Sequence, residues 1–159
     1  MADFDPADAD LSLASLFTGW ALADELQRRL AAAGFADARF ADGVIFQHLM
    51  ASPVTISTLA ERLEVSQQAA SKSVADLEKR GYLTRVPDPA DARARLVTLT
   101  ARGEAVIAAA REQRAVLEAE LREALGADRV ESARLLLVDV LNHLNATPAL
   151  RSRRVRPPN

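Results

Sequence analysis

The sequence predicts a mainly α-helical chain interrupted by one small β-hairpin. Three observations lead there. Apolar residues recur at helical spacing through most of the chain, and the segments they mark open at Ser or Thr and close at Gly or ahead of Pro. One stretch, TRVPDPADARARLVTLT at residues 84–100, instead alternates like strand on both sides of a tip rich in Pro and Asp. That tip carries arginines although the chain has a net charge of −2, so the hairpin asks for a purpose.

Taken in order, residues 1–10 form an acidic lead, MADFDPADAD, expected to be disordered and lacking the basic and apolar regions of a secretory signal. A helix from residue 11 to about 33 puts Leu13, Leu16, Phe17, Trp20, Ala23 and Leu30 mostly on one stripe and ends at Gly34. A second, over 40–51, stops before Pro53 because the residue ahead of proline disfavours the α region. Thr55 N-caps a third over 56–63, which turns Leu59, Ala60 and Leu63 inward. Ser66 caps a fourth from 67 to about 80, ended by Gly81. The strands follow at 83–86 and 95–99. Thr100 caps a long helix to about 125 with Gly126 beyond it, and a last helix covers roughly 128–145, before Pro148. The tail, LRSRRVRPPN, is basic, proline-containing and expected to be flexible.

Composition excludes several classes of function. At 159 residues the length fits one compact domain with appended helices. A pI near 5.7 argues against a uniformly basic nucleic-acid coat but leaves a local basic surface open. The absence of cysteine removes disulfides, zinc-thiolate sites, thiol redox sensing and cysteine nucleophiles together. His, Asp and Glu show no metal-ligand spacing, so neither a metal nor another cofactor is expected. No glycine-rich phosphate loop or nucleophile-and-base arrangement marks an enzyme. No apolar run approaches the ~20 residues that span a bilayer, and the chain reads as a cytoplasmic protein with no membrane partner.

The third and fourth helices are separated only by Glu64, Val65 and Ser66, a helix-turn-helix spacing. On the wheel of the fourth helix Ala70, Val74 and Leu77 form a narrow packing stripe. Gln68, Lys72, Ala75 and Lys79 lie opposite, with Gln67 and Ser71 beside them. Amide, hydroxyl and ammonium groups bond base edges and phosphates, and the small Ala69 and Ala75 let such a helix sink into a major groove. On the helix alone, an ordinary solvated face explains these residues equally well. The hairpin shifts the balance, because a helix-turn-helix followed at once by an arginine-tipped hairpin is a winged helix. From Lys72 to Arg95 six basic residues stand against four acidic ones, so any affinity depends on placement more than on bulk attraction.

The run TISTLAERLEVSQQAASKSVADLEKRGYLTRVPDPADARARLVTLTARG, residues 55–103, resembles the MarR family of bacterial winged-helix regulators. The matching pieces are LAERLEVS, LEKRGYL, the wing DPADAR, and LVTLTARG, in that order. The resemblance implies a winged helix-turn-helix lobe at 39–100, held between an N-terminal dimerisation helix at 11–38 and C-terminal dimerisation helices at 101–147, with the lead at 1–10 and the tail at 148–159. It implies that the fourth helix reads a major groove and the wing reaches a minor groove. The DNA-contacting set is then Thr55, Ser66, Gln67, Gln68, Ser71, Lys72, Asp91, Arg93 and Arg95, with Asp91 orienting the Arg93 guanidinium. The family often has Asp-Arg-Arg in the wing, whereas this chain has Ala92 between Asp91 and Arg93. Glu64 sits where the helix-helix turn often has glycine.

The residues themselves also point to a homodimer. Val106, Ile107, Ala110, Leu117, Leu121 and Leu125 line one side of the long helix, and the last helix contains LLLVDVLNHL. A second copy covers such surfaces more readily than one N-terminal helix does; an intramolecular bundle is the alternative. Two recognition helices would meet successive major grooves about 34 Å apart on a pseudo-palindromic operator. The resemblance implies a cleft for a small aromatic or other organic effector, lined by Phe17, Trp20, Arg39, Phe46 and His48. A plain core role for Phe17, Trp20 and Phe46 stands beside that reading. His143 is expected to be interfacial or solvated, and Arg151, Arg153, Arg154 and Arg156 to lie in a solvated tail. The functional expectation is a homodimeric, sequence-specific DNA-binding regulator, a repressor. The alternative is a winged-helix protein-interaction module whose DNA binding is weak or lost, kept open by the small charge excess and by Ala92.

Overall fold

In the computed structural model, residue 5 and residues 8–91 and 93–147 are described. Helix α1, Leu11–Leu30, opens on Asp10, whose carboxylate accepts from the Leu13 N–H at 2.9 Å and from the Ser12 hydroxyl at 2.7 Å. Asp10 therefore belongs to the helix start rather than to a loose lead. The α-helix ends earlier than the predicted residue 33. It widens into a π-turn over Ala31–Phe35, where Gly34 takes φ 94°, a left-handed conformation that closes the helix at the residue expected to do so.

Helix α2, Asp42–Leu49, is shorter at both ends than the predicted 40–51. Residues 39–44 wind in tighter three-residue turns, Asp42 N–H to Arg39 C=O at 3.0 Å and Gly43 N–H to Phe40 C=O at 3.2 Å. Helix α3, Ile56–Leu63, and helix α4, Gln67–Lys79, start at the expected caps, the Thr55 and Ser66 hydroxyls accepting from Thr58 and Ala69 N–H, each at 3.1 Å. Between them Glu64 takes φ 54°, the left-handed conformation that glycine would adopt without strain.

Strands β1, Leu83–Pro87, and β2, Arg95–Leu99, pair antiparallel in a register running from Leu83 opposite Leu99 to Pro87 opposite Arg95. Val54 adds a short third rung on the other edge of β2, exchanging both backbone hydrogen bonds with Val97 at 3.1 and 2.7 Å. This bridge ties the wing to the loop ahead of α3, and nothing in the hydrophobic pattern announced it. Helix α5, Ala101–Leu125, opens on the Thr100 cap, and α6, Ala127–His143, follows Gly126.

The core lies inside the lobe. Ile45, Phe46, Leu49, Leu59, Val74, Leu77, Tyr82, Leu83, Val97 and Val106 pack together, with Ala70, Val74 and Leu77 forming the predicted inward stripe of α4. Gly103 sits in the first turn of α5 so close to β1 that a Cβ there would stand 2.3 Å from the Tyr82 carbonyl oxygen. Helices α1 and α6 bury no residue. Leu16, Phe17 and Trp20 on α1 and Leu135, Leu136 and Leu137 on α6 are exposed among the described residues. None of the described helices is long and apolar enough to cross a membrane.

Candidate nucleic-acid interface

Burial of Ala70, Val74 and Leu77 turns the other side of α4 outward. Gln67, Gln68, Lys72, Ala75 and Lys79 are exposed, and Ser71 is half-buried beside them. Ser66 uses its hydroxyl as the helix cap, so its side chain is committed to Ala69 N–H. Thr55 is committed likewise, to Thr58 N–H and to the Thr58 hydroxyl at 3.0 Å. Both cap their helices by accepting, which leaves the Ser66 O–H free to donate. Gln67 donates its side-chain amide to the Ser57 hydroxyl on α3. Ser57 was not singled out from the sequence, because a serine in the first turn of a short helix is unremarkable there.

At the wing tip, local hydrogen bonds fold the loop on itself. Asp88 accepts from Ala90 N–H at 2.8 Å, Asp91 from Arg93 N–H at 2.9 Å, and Ala94 N–H donates to Asp91 C=O at 2.9 Å. Asp91 thus orients Arg93 through the backbone, and no ion pair joins its carboxylate to the Arg93 guanidinium, a correction to the expected pairing. A short aspartate readily takes the amide two residues ahead, which is the local option open to it in a turn. Arg93 is exposed, and Arg95 is exposed at the end of β2. Ala92, and the arginines of the tail, lie outside the described residues.

The six basic residues between Lys72 and Arg95 divide into two groups. Arg80 and Arg85 are engaged by the fold. Arg85 pairs with Glu78 of α4 at 3.2 Å, and Arg80 makes a bidentate pair with Asp42 at 2.6 and 2.9 Å, with both side chains about nine-tenths buried. Lys72, Lys79, Arg93 and Arg95 form no ion pair among the described residues. The local positive balance is therefore carried by side chains on the outer face of α4 and on the wing.

The Arg80 pair belongs to a larger polar knot at the base of the lobe. Arg80 also donates to Asp76 at 2.8 Å and to the Asp37 carbonyl at 2.7 Å, and Arg39 pairs with Asp76 at 3.2 Å. The Tyr82 hydroxyl donates to Asp37 at 2.6 Å, which Arg102 of α5 also reaches at 2.8 Å. The Arg80 and Arg102 guanidiniums lie 5.6 and 4.9 Å from the Tyr82 ring centre. The Tyr82 hydrogen bond, helped by Arg102 against the cost of burial, holds the Asp37 carboxyl below its ordinary value. Burial, then Asp37, pushes the Tyr82 hydroxyl up. The partners come from three separate stretches, around Asp37 to Asp42, Asp76 to Tyr82, and Arg102, so a single sequence offered no signal for the knot.

The predicted effector residues separate. An open cleft lies between α1, α2 and α5 and is lined by Leu30, Ala38, Phe46, Val106 and Ile107 with Arg39, Gln47, Arg111 and Arg114. Of the predicted residues, Arg39 and Phe46 line it, Phe46 being also a core residue. Phe17, Trp20 and His48 do not. Phe17 and Trp20 are 59% and 56% exposed, their rings in edge contact at 5.3 Å, so neither the cleft nor the core reading holds for them within one chain. They sit more than one helical turn N-terminal to the cleft-lining Leu26. The His48 backbone carbonyl accepts from Arg62 at 3.0 Å. The cleft also holds a buried acceptor, Gln47 Oε1, with no hydrogen-bond partner among the described residues. Among the described residues no group of His, Cys, Asp and Glu has the arrangement to hold a metal ion.

A family model described as "MarR family" matches residues 40–94, the lobe from the start of α2 to the wing tip. The fold around it is similar to that of wild-type MarR from Escherichia coli in its apo form, which is 26% identical with a TM-score of 0.61 over 84% of this chain and 97% of that one. Over this lobe the chain is similar to the MarR family. Two further likenesses extend over the flanking helices. The YusO protein of Bacillus subtilis is 21% identical, with a TM-score of 0.65 over 83% of this chain and 91% of that one. A single-site mutant of E. coli MarR, solved in complex with operator DNA, is 26% identical with a TM-score of 0.58 over 87% of this chain and 99% of that one. No curated protein matches the chain by sequence.

Proposed function

We propose that this chain is a cytoplasmic homodimeric repressor of the MarR family that reads duplex DNA with α4 and the wing and is released by a small organic anion. The observation that carries the reading is the division of the basic residues. Lys72, Lys79, Arg93 and Arg95 stay exposed without ion pairs among the described residues, while Arg80 and Arg85 are tied into the fold. With Gln67, Gln68 and Ser71 they make an outer face of amides, hydroxyl and cations, which suits phosphates and base edges. The E. coli MarR mutant solved with operator DNA and the S. aureus MepR mutant bound to an oligodeoxyribonucleotide have a similar fold and support the assignment. Repression is the mode that needs only occupancy of the DNA.

The dimer rests on the exposed apolar side chains of α1 and α6, where a second copy removes Phe17, Trp20 and the three consecutive leucines from water. Arg39, Arg111 and Arg114 around an apolar floor favour an organic anion in the cleft, with aromatic acids as the first class to try. Selection of bound fragments from the chromosome tests the reading. The expected result is a pseudo-palindromic site with half-sites one helical turn apart, bound by a species of twice the 17.2 kDa chain mass. Fragments recovered without any shared sequence would favour the protein-interaction alternative.

A further inference from the structure

The two glutamines that open α4 are not equivalent. Gln67 gives a side-chain N–H to the Ser57 hydroxyl, ten residues earlier on α3, whereas Gln68 has no side-chain partner among the described residues. Ser57 is itself exposed in the first turn of α3, so this bond spans the turn between the two helices at the surface. A glutamine side chain free in water samples many rotamers and pays for ordering when it binds. One held at its amide is already ordered.

We infer that Ser57 is a positioning residue for base recognition, and that it sets Gln67 to read adenine. This rests on the DNA-binding reading given above. The Gln67 amide carries two N–H groups and a carbonyl oxygen. With one N–H engaged by Ser57, one N–H and the carbonyl remain, a donor beside an acceptor. Adenine presents the complementary pair in the major groove, N7 as acceptor and N6–H as donor. Guanine offers two acceptors there and opposes the carbonyl. Gln68, unrestrained, adapts to whatever lies beneath it and adds affinity with weaker preference. Ser57 touches no base; it acts through Gln67.

The test is selection from a pool of randomised duplexes by the full-length protein, followed by titration of the selected duplex and of single-base variants. Wild type is expected to select adenine at one position in each half-site, and Gln67→Ala to lose that preference. Ser57→Ala should weaken the same preference about two- to tenfold, the cost of ordering one long side chain, with other positions and the salt dependence unchanged. Ser57→Thr, which keeps the hydroxyl, should restore it. Alanine is the better helix former, so Ser57→Ala does not endanger the fold. A Ser57→Ala profile identical to wild type overturns the inference. So does a uniform loss of affinity with a shallower salt slope, since Ser57 would then be a phosphate contact, and so does a base other than adenine at the position lost in Gln67→Ala. A wild-type protein that selects no sequence overturns the DNA-binding reading as well, and is told apart by appearing before any substitution is made.

Discussion

Replacing Arg80 with methionine should cost the protein a large part of its stability. The substitution keeps the length of the aliphatic stem and deletes the guanidinium. In the folded chain that group bonds both oxygens of Asp42, at 2.6 and 2.9 Å, and the two side chains are only 11% and 9% exposed. Without it Asp42 stays buried with one recorded donor, the Arg39 N–H at 2.8 Å. Removing one partner of a buried pair leaves an uncompensated charge and costs roughly 3–5 kcal/mol. At about 2–4 °C per kcal/mol for a chain of this size, the melting temperature should fall by roughly 6–20 °C. Urea denaturation followed by circular dichroism measures the loss, at fixed protein concentration because a dimer's stability depends on it. The double substitution Arg80→Met with Asp42→Leu should recover part of the loss, since the stranded charge is then gone, while the bonds to Asp76 and the Asp37 carbonyl stay lost. A cost below about 1 kcal/mol, the range of an exposed pair, would refute the claim that this pair holds the end of α4 to α2.

Four further substitutions probe other parts of the chain. Gly103→Ala drives a methyl group against the Tyr82 carbonyl and should destabilise by about 1–3 kcal/mol or prevent folding; a melting temperature equal to wild type contradicts the close approach. Asp37, held below its ordinary value of 3.8 by the Tyr82 hydroxyl and by Arg102, contributes stability that is present above that value and fades as pH falls through the lower folded one. Asp37→Asn should therefore narrow the gap to wild type below about pH 4, and a gap that stays constant through acid titration speaks against the hydrogen bond. Arg93→Ala should weaken binding to a selected duplex by about tenfold and reduce the salt slope by about one, while Arg85→Ala, whose guanidinium is engaged by Glu78, changes it little. Equal losses from the two would remove the distinction between engaged and unengaged arginines.

The lobe was legible where sequence acts locally. Caps at Thr55, Ser66 and Thr100 fixed three helix starts, because a hydroxyl satisfies an orphan N–H within three residues. The inward stripe Ala70, Val74 and Leu77 followed from helical period alone. Elements set by distant partners were hidden. The Val54 rung on β2, the Arg80–Asp42 pair across 38 residues and the Ser57–Gln67 bond across the turn depend on the fold being made first. Between Asp91 and Arg93 the bond that forms is the short-range backbone one, which needs no rotamer of the arginine. Phe17 and Trp20 misled for a physical reason. An aromatic stripe reads as core, yet within one chain the N-terminal half of α1, where both rings sit, stays exposed.

The most direct test is titration of a fluorescent duplex taken from upstream of the gene, alongside a scrambled duplex of equal composition, at two salt concentrations. The account predicts tighter binding to the native duplex and an affinity that falls steeply with salt, with a log–log slope of about −0.9 for each phosphate neutralised. Equal affinity for the two duplexes, or binding indifferent to salt, would contradict the claim that the exposed cations of α4 and the wing read DNA.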